Sequence, residues 1–288
     1  MLRERSRAVD VGADSGGKRI KKWLVALILI FIIAIGSGYL VSRTPIEPQI
    51  TSPSTYETFK TDLQPMKTSL NIVGLGDSLT AGVGDPDEKG YAGLTVQSLK
   101  KSDSTSDVHF VDYGIKGDTT ADLLTVLNKN NVQESIRNAD IVFMTIGGND
   151  LVGVLKENFL DLNIDDFNAP RLTFQKNFND IIQKIQELNP KATVYYLGLY
   201  NPFEDLFPDL DPQFESILQK WNQSSETILE LYPHAVFVPT ADLFKDKSEQ
   251  LLYNDHFHPN KKGYELMSQR LLSFIQRGEG ETTQLTKR

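Results

Sequence analysis

The sequence predicts an α/β fold, a three-layer sandwich in which helices cover both faces of a five-stranded parallel sheet. From residue 70 onward, short apolar runs rich in β-forming residues alternate with longer stretches whose apolar residues recur at helical spacing. The short runs are apolar throughout, which is typical of parallel strands buried on both faces. Five strands in this alternation favour a doubly wound, flavodoxin-like sheet in one domain at residues 70–278.

The individual elements follow from the same pattern. Strands are expected at residues 70–75, 108–113, 141–146, 193–200 and 235–238. Helices are expected at residues 92–100, 120–127, 174–188, 214–231 and 261–276. After Gly278 the sequence turns polar, so residues 279–288 are expected to form a flexible tail.

The N-terminal part of the chain predicts a membrane anchor. A polar, basic tail at residues 1–22 is followed by nineteen uncharged residues at 23–41. At about 1.5 Å per residue, a helix of this length crosses a hydrocarbon core of roughly 30 Å. Residues 42–69 contain several prolines and few apolar side chains, and are expected to form a linker between this transmembrane helix and the domain.

The basic residues around this segment predict its orientation. Four of them precede the apolar run (Lys18, Arg19, Lys21 and Lys22), and only Arg43 lies just after it. By the positive-inside rule, the tail is then cytoplasmic and the domain extracytoplasmic in a single-pass membrane protein. The alternative is a cleaved signal peptide, for which Ala34-Ile35-Gly36 is a passable cleavage site, and which would release a secreted protein.

Charge and composition exclude several classes of protein. Residues 1–42 carry a net charge of +4 and the whole chain carries −8, which leaves −12 on the remainder. Such an acidic body argues against a nucleic-acid partner, which would require a basic face. The chain has no cysteine, which excludes disulfides, thiolate catalysis and cysteine-based zinc sites.

Residues with chemical potential cluster where predicted strands end. The sequence GDSL at 76–79 follows the first strand, GIKGDT at 114–119 the second and GGND at 147–150 the third, while DHFHP at 255–259 precedes the last helix. The carboxyl ends of parallel strands meet at the edge of the sheet where ligands bind. A serine placed there needs a general base, a group that orients the base, and donors for an oxyanion.

These four blocks, in this order, resemble those of the SGNH hydrolases, also called the GDSL family of esterases and lipases. The resemblance covers roughly residues 70–277. A single Gly-Asp-Ser-Leu would be weak evidence, whereas four spaced blocks, each where the fold needs it, are specific. The serine motif differs from the Gly-x-Ser-x-Gly elbow of α/β-hydrolases, because Thr80 stands in place of the second glycine.

The resemblance implies a role for each block. Ser78 would be the nucleophile, His258 its general base, and Asp255 the residue that orients the imidazole and stabilises its charged form. The oxyanion hole would consist of the backbone N–H groups of Ser78 and Gly117 and the side-chain amide of Asn149. No metal or organic cofactor is implied.

Three residues beside these have separate interpretations. Only His258 stands three residues after Asp255, so His256 is expected to be a spacer that lines the site or faces solvent. Asp77 is expected to brace the serine turn by hydrogen bonds, and Asp150 to cap the helix that follows it.

The predicted reaction is hydrolysis of an acyl ester through an acyl-enzyme on Ser78, and the implied partners are that substrate and the membrane. The ester stays open: a lysophospholipid or other lipid ester, a small acetyl ester, an acyl thioester, or O-acetyl groups of a cell-wall glycan. A non-catalytic lipid- or glycan-binding module on the same fold is the alternative from another class. Residues 151–170 and 201–214 are interpreted as loops that either form an acyl groove or lid, or only pack onto the domain.

Overall fold

A computed structural model of the chain describes residues 68–101, 105–158, 163–204 and 211–285. The predicted cytoplasmic tail and transmembrane anchor lie outside these residues, and so does the predicted linker apart from its last two residues. Within the four described stretches, no helix is both long and apolar enough to cross a membrane.

Five parallel strands form the centre of the described domain. They are β1 (Thr68–Gly76), β2 (Thr105–Gly114), β3 (Ile141–Thr145), β4 (Thr193–Leu197) and β5 (Ala235–Val238). The order across the sheet is β2-β1-β3-β4-β5, and all neighbours are parallel. This is the flavodoxin-like order of doubly wound sheets, so the predicted sheet is confirmed.

Helices connect the strands, and all five predicted helices are present. The helices are α1 (Gly90–Lys100), α2 (Thr120–Val126), α3 (Asn130–Arg137), α4 (Gly148–Glu157), α5 (Asn168–Leu188), α6 (Asp211–Leu229), α7 (Ala241–Phe244), α8 (Ser248–Leu251) and α9 (Lys261–Leu285). A 3₁₀ turn at Ile164–Phe167 precedes α5.

Successive strand residues pack into two separate cores, one on each face of the sheet. Val142 of β3 faces a core built with α2, α3, α4, α5 and α6. Its neighbour Phe143 faces a second core, which the strands share with α1, α7, α8 and α9. Both faces are therefore covered, which explains why the central strands β3 and β4 are buried at nearly every position rather than at alternate ones.

The prediction of a long loop at residues 151–170 is wrong. Most of this segment belongs to α4, to the 3₁₀ turn and to the start of α5. Buried Leu151, Val154 and Leu155 recur at helical spacing along α4 and pack into the first core. The glycine pair before α4 starts the helix rather than interrupting it, because Gly147 has a φ of 104° at the N-cap.

Two further boundaries differ from the prediction. Strand β4 ends at Leu197 rather than at residue 200, because the Asn222 side chain bonds both the N–H and the C=O of Leu199 at 2.8 Å. Helix α9 runs to Leu285, nine residues beyond its predicted end, so the predicted tail at 279–288 begins within this helix. No proline lies between Lys261 and Leu285 to stop the helix, and its glycines weaken it without ending it.

Candidate active site

The end of β1 is pressed closely against the end of β3, and this contact delivers Ser78 to the carboxyl edge of the sheet. The backbone N–H of Asp77 donates to the carbonyl oxygen of Thr145 at 3.0 Å. Gly76 has a φ of 130°, and a Cβ at this position would lie 1.8 Å from the same carbonyl oxygen. Only glycine permits this approach, so the residue before Asp77 sets the turn that carries the serine.

Ser78, His258 and Asp255 form a continuous hydrogen-bonded chain. The imidazole Nε2 of His258 lies 2.8 Å from Ser78 Oγ, and its Nδ1 lies 2.6 Å from Asp255 Oδ2. The side chain of His258 is 3% exposed and that of Asp255 is 25% exposed. A serine hydroxyl, a buried imidazole and a carboxylate in this order can activate the serine as a nucleophile.

A tight turn between α8 and α9 holds the base against its carboxylate. The second oxygen of Asp255, Oδ1, accepts hydrogen bonds at 3.0 Å from the backbone N–H groups of Phe257 and His258. Burial acts to raise the pKa of Asp255, but the hydrogen bond and charge of His258 and these two N–H groups hold it below its ordinary value. Asp255 is therefore an ionised acceptor for the imidazole at neutral pH.

The other histidine of this turn, His256, is exposed and has a φ of 51°. The turn needs one residue in the left-handed region between the carboxylate and the base, and His256 occupies that position. The ring at hydrogen-bond distance from Ser78 Oγ is that of His258, so the predicted choice of His258 over His256 agrees with the geometry.

Two of the three predicted oxyanion donors lie at the pocket, and the third lies in the adjacent loop. Ser78 and Asn149 line the pocket, whereas Gly117 is not among its lining residues. The Gly117 turn is bonded to β1 through Ile115 N–H and Gly76 O at 2.9 Å, and it has a φ of 88°. Among the described residues, no hydrogen bond uses the backbone N–H of Ser78 or of Gly117.

The side chain of Asn149 has a structural bond as well. Its Nδ2 donates to the backbone carbonyl of Asp118 at 2.9 Å, which joins the start of α4 to the Gly117 turn. An amide nitrogen carries two hydrogens, so one remains for an oxyanion. The predicted donors thus belong to segments that are tied directly to one another.

Asp77 braces the serine turn, as the sequence predicts, but Asp150 does not cap its own helix. Asp77 Oδ1 accepts from the backbone N–H of Leu79 at 3.0 Å and lies 2.8 Å from Thr145 Oγ1. Asp150 instead accepts from the backbone N–H of Thr120 at 2.9 Å, at the start of α2. The prediction for Asp150 is wrong because its carboxylate, in the first turn of α4, reaches a neighbouring helix terminus with an unpaired donor.

A mostly apolar pocket opens beside Ser78. Its empty space, which includes the part open to solvent, is about 760 Å³, and its walls come from α4, α6 and the segment that follows β4. Apolar lining residues include Leu151, Val152, Phe203, Ile217, Leu218 and Phe257. Both segments that the sequence analysis singled out contribute to these walls, although the first does so as a helix.

Some residues that shape the site were missed from the sequence. Thr145, Thr80 and Tyr91 form a buried hydroxyl cluster behind the serine turn, and the Tyr200 hydroxyl donates to the Phe257 carbonyl at 2.6 Å. Thr80 is part of the serine turn itself, but Thr145, Tyr91 and Tyr200 belong to other elements than the turns they support, so no local spacing signals their contacts. In the described part of the chain, no group of three or more His, Cys, Asp or Glu residues is arranged to hold a metal ion.

Comparisons with known proteins agree with this fold and site. Residues 75–266 match the model of the GDSL-like Lipase/Acylhydrolase family. An uncharacterized protein of Bacillus subtilis, YpmR, is 39% identical over 213 residues, which make up 73% of this chain and 83% of that protein. Spore germination lipase LipC of Bacillus licheniformis is 30% identical over 217 residues, or 70% of this chain and 95% of that protein.

A solved structure is similar as well. The lipase Lip_vut3 from a goat rumen metagenome is 29% identical, superposes with a TM-score of 0.64, and is matched over 71% of this chain and 96% of that protein. The family match covers most of the described domain, including the serine turn. The chain therefore belongs to the GDSL-like lipase/acylhydrolase family.

Proposed function

We propose that the protein is a serine-dependent acyl ester hydrolase that forms an acyl-enzyme on Ser78. The observation that carries this proposal is the unbroken chain from Ser78 Oγ through His258 to Asp255, at the mouth of an apolar pocket. A binding module would have no need for a buried imidazole held at hydrogen-bond distance from a serine hydroxyl.

In the proposed first half-reaction, Ser78 Oγ attacks the acyl carbonyl and its proton passes to His258 Nε2. Asp255 holds Nδ1 and stabilises the imidazolium that forms. His258 then gives its proton to the leaving alcohol as the carbon–oxygen bond breaks, which leaves the acyl group on Ser78. In the second half-reaction a water molecule, activated by His258, hydrolyses this acyl-enzyme and restores the hydroxyl.

The proposed oxyanion hole uses the backbone N–H groups of Ser78 and Gly117 and the amide of Asn149. These groups belong to three segments that the Asn149–Asp118 and Ile115–Gly76 hydrogen bonds tie together. Donors fixed before the substrate arrives need no reorganisation as charge develops on the carbonyl oxygen.

The pocket supports an ester with a hydrocarbon acyl chain. Its walls are largely aliphatic and aromatic side chains from α4, α6 and the segment after β4, and its polar lining residues include Asp77, Ser78, Thr145, Asn149 and Asn201. Burying a methylene group in such a pocket is worth about 0.8 kcal/mol, so each added carbon favours binding until the pocket is full. The lipase activity stated for LipC and Lip_vut3 supports the same substrate class.

For the location of the protein, we propose a single-pass anchor at residues 23–41 with the hydrolase domain outside the membrane. The support is the uncharged run of nineteen residues with basic residues before it. An extracytoplasmic domain would meet lipids and cell-wall polymers as substrates.

A series of nitrophenyl esters from acetate to long acyl chains tests the activity and the substrate class. We expect kcat/KM to rise from acetate to a chain of intermediate or greater length, and Ser78→Ala to remove the activity at every length. Val152→Phe, which fills the pocket from α4, should lower kcat/KM for the preferred chain more than for acetate. The acetate rate of the same variant is the internal control for folding.

Each of the other outcomes would change the function assigned to the protein. Turnover that survives Ser78→Ala would show that the nucleophile is another group. Activity confined to acetate would favour the O-acetyl esterase, and a complete lack of turnover in the wild-type protein would favour the binding module.

A further inference from the structure

A buried group of hydroxyls lies directly behind the nucleophile turn and ends on Asp77. Asp77 Oδ1 is 2.8 Å from Thr145 Oγ1, and Thr145 Oγ1 is 2.7 Å from Thr80 Oγ1. Thr80 Oγ1 is also 2.9 Å from the Tyr91 hydroxyl and 3.1 Å from the carbonyl oxygen of Leu75. All four side chains are almost completely buried.

The number of hydrogens available does not match the number of contacts unless Asp77 supplies one. Four short oxygen–oxygen contacts each require one hydrogen, and the hydroxyls of Thr145, Thr80 and Tyr91 carry three in total. The Leu75 carbonyl has none to give. A proton on Asp77 completes the set, because Asp77 then donates to Thr145, Thr145 to Thr80, and Thr80 to Leu75 O, while Tyr91 donates to Thr80.

The surroundings of the carboxyl group also favour its neutral form. Among the described residues, both side-chain hydrogen bonds of Asp77 involve Oδ1, whereas an ionised carboxylate in a buried position needs several donors spread over its two oxygens. The charges that act on Asp77 are those of Asp150 and Asp118, and both are negative.

We propose that Asp77 is a protonated carboxylic acid in the working enzyme, where it is the positioning residue that fixes the Ser78 turn. This role rests on the proposed function of Ser78 as nucleophile. Through Oδ1, Asp77 joins the backbone of Leu79, on the far side of the serine, to the hydroxyl cluster anchored on β3 and α1. The serine turn is thus held by two hydrogen bonds of the Asp77 carboxyl group, one with the backbone of Leu79 and one with Thr145 of the cluster.

The neutral state has a direct consequence for catalysis. Asp77 lines the same pocket as Ser78 and Asn149, where the proposed mechanism develops negative charge on the substrate oxygen. An ionised carboxylate in the same pocket would repel this charge, whereas a neutral acid would not counteract the oxyanion donors. We therefore expect the enzyme to lose activity when Asp77 loses its proton.

The expected pH range follows from the environment of the group. Burial raises the pKa of Asp77 to about 7, against the lowering effect of its bonds to Thr145 and Leu79. The titratable groups around it are Asp118 from the Gly117 turn, Asp150 from α4, Tyr196 from β4, and Tyr91, Tyr200 and Tyr264 from the second core. His258 is the remaining titratable group at the serine.

Carbon-13 NMR of the full-length protein labelled at the aspartate carboxyl groups tests the protonation state without reference to activity. The resonance that disappears in Asp77→Asn identifies the group. We expect it to keep the chemical shift of a neutral acid at pH 5.5 and to move to that of a carboxylate with a midpoint near 7. A resonance that is already that of a carboxylate at pH 5.5 would overturn the proposal.

The pH dependence of kcat on the preferred nitrophenyl ester tests the role in positioning. In the wild-type enzyme, kcat should fall by up to about tenfold per pH unit above the midpoint seen by NMR, since only the protonated fraction is active. Asp77→Asn is neutral at every pH and has the same shape, so this alkaline fall should disappear. At pH 6 the variant should retain kcat within about tenfold, because the amide keeps one of the two Oδ1 contacts and loses the other.

Asp85→Asn is the matched control. Asp85 is also buried, but its carboxylate accepts backbone N–H bonds from Asp87, Lys89 and Gly90 at the start of α1, outside the hydroxyl cluster. It should keep the alkaline fall with an unchanged midpoint. An alkaline fall that persists in Asp77→Asn would overturn the positioning role. A wild-type protein without turnover on any ester would contradict the proposed function alone, because the NMR result would stand.

Discussion

At the scale of single residues, one short turn gives two histidines opposite environments. His258 is buried between a serine hydroxyl and a carboxylate, whereas His256 is exposed and has a positive φ. The spacing of three residues between Asp255 and His258 lets one carboxylate accept both the Nδ1–H of the ring and the backbone N–H of the same residue. Position in the turn, rather than residue type, decides which histidine can serve as a base.

Substitution of each histidine by alanine separates their roles. His258→Ala removes the group that accepts the Ser78 proton, and kcat should fall by roughly a thousandfold or more. His256→Ala should change kcat by less than about threefold, since this residue is exposed and the ring that bonds the serine is that of His258, as for most exposed substitutions. Steady-state kinetics on one ester, with thermal melts to verify folding, measures both effects. Similar losses in the two variants would contradict the assignment of the base.

The residues of the triad were accessible from the sequence, whereas the cluster behind them was not. Ser78, Asp255 and His258 stand in short blocks whose spacing is visible along the chain. Thr80, Tyr91 and Thr145 come together only because β1 and β3 are neighbours and α1 packs across their ends. The sequence around a threonine does not show which hydroxyl its side chain will contact, so this cluster could be identified only from the fold.

At the scale of elements, the turn that carries His258 is anchored by parts of the chain far from it in sequence. The hydroxyl of Tyr200, three residues after the end of β4, donates to the carbonyl of Phe257 at 2.6 Å. On the other side, the Tyr264 hydroxyl of α9 donates to the carbonyl of Val83 at 2.7 Å. The adjacent Gly84 packs so closely that an added Cβ would lie 2.5 Å from the Pro259 carbonyl oxygen.

Tyr200→Phe isolates one of these anchors. The ring stays in the pocket wall while the buried carbonyl of Phe257 loses its donor, which should cost about 1–3 kcal/mol of unfolding free energy. Because the imidazole is then held less firmly, we expect kcat to fall ~10-fold with KM nearly unchanged.

Tyr232→Phe is the comparison for that prediction. Tyr232 lies just after α6, and its hydroxyl bonds Asn179 of α5, on the side of the domain away from the His258 turn. Denaturant melts should show a smaller or similar loss of stability, and kcat should be unaffected. If both variants lowered kcat alike, the effect would come from general destabilisation rather than from the turn.

The elements were predicted unevenly for physical reasons. Strands buried on both faces have a strong apolar signal, so all five were found in their correct order. Helix α4 was mistaken for loop because its first turn contains Gly148, Asn149 and Asp150, which are typical of turns. One of these residues, Asn149, belongs to the proposed oxyanion site, so part of this local signal reflects chemistry rather than helix propensity.

At the scale of the whole molecule, the proposed anchor predicts where the enzyme is found. The full chain expressed in a bacterial host should sediment with membranes and be released by detergent but not by high salt, whereas a chain that starts at Arg43 should stay in solution. N-terminal sequencing of the purified full-length protein should find the basic tail intact. A mature N-terminus close to Gly36 would instead establish the cleaved signal peptide and a secreted enzyme.

The direction of β1 gives this architecture a polarity. The nine-residue strand starts at Thr68, where the tether enters the domain, and ends at Gly76, directly before the nucleophile turn. At about 3.3 Å per residue, the two points are some 30 Å apart, at opposite edges of the sheet. When the tether of the proposed anchor is taut, the edge of the sheet that carries Thr68 would therefore face the lipid surface, and the catalytic mouth would face the aqueous side. Residues 42–67 can span at most about 90 Å when fully extended, so the same tether that restricts diffusion also sets the depth of the layer in which the enzyme can hydrolyse its substrates.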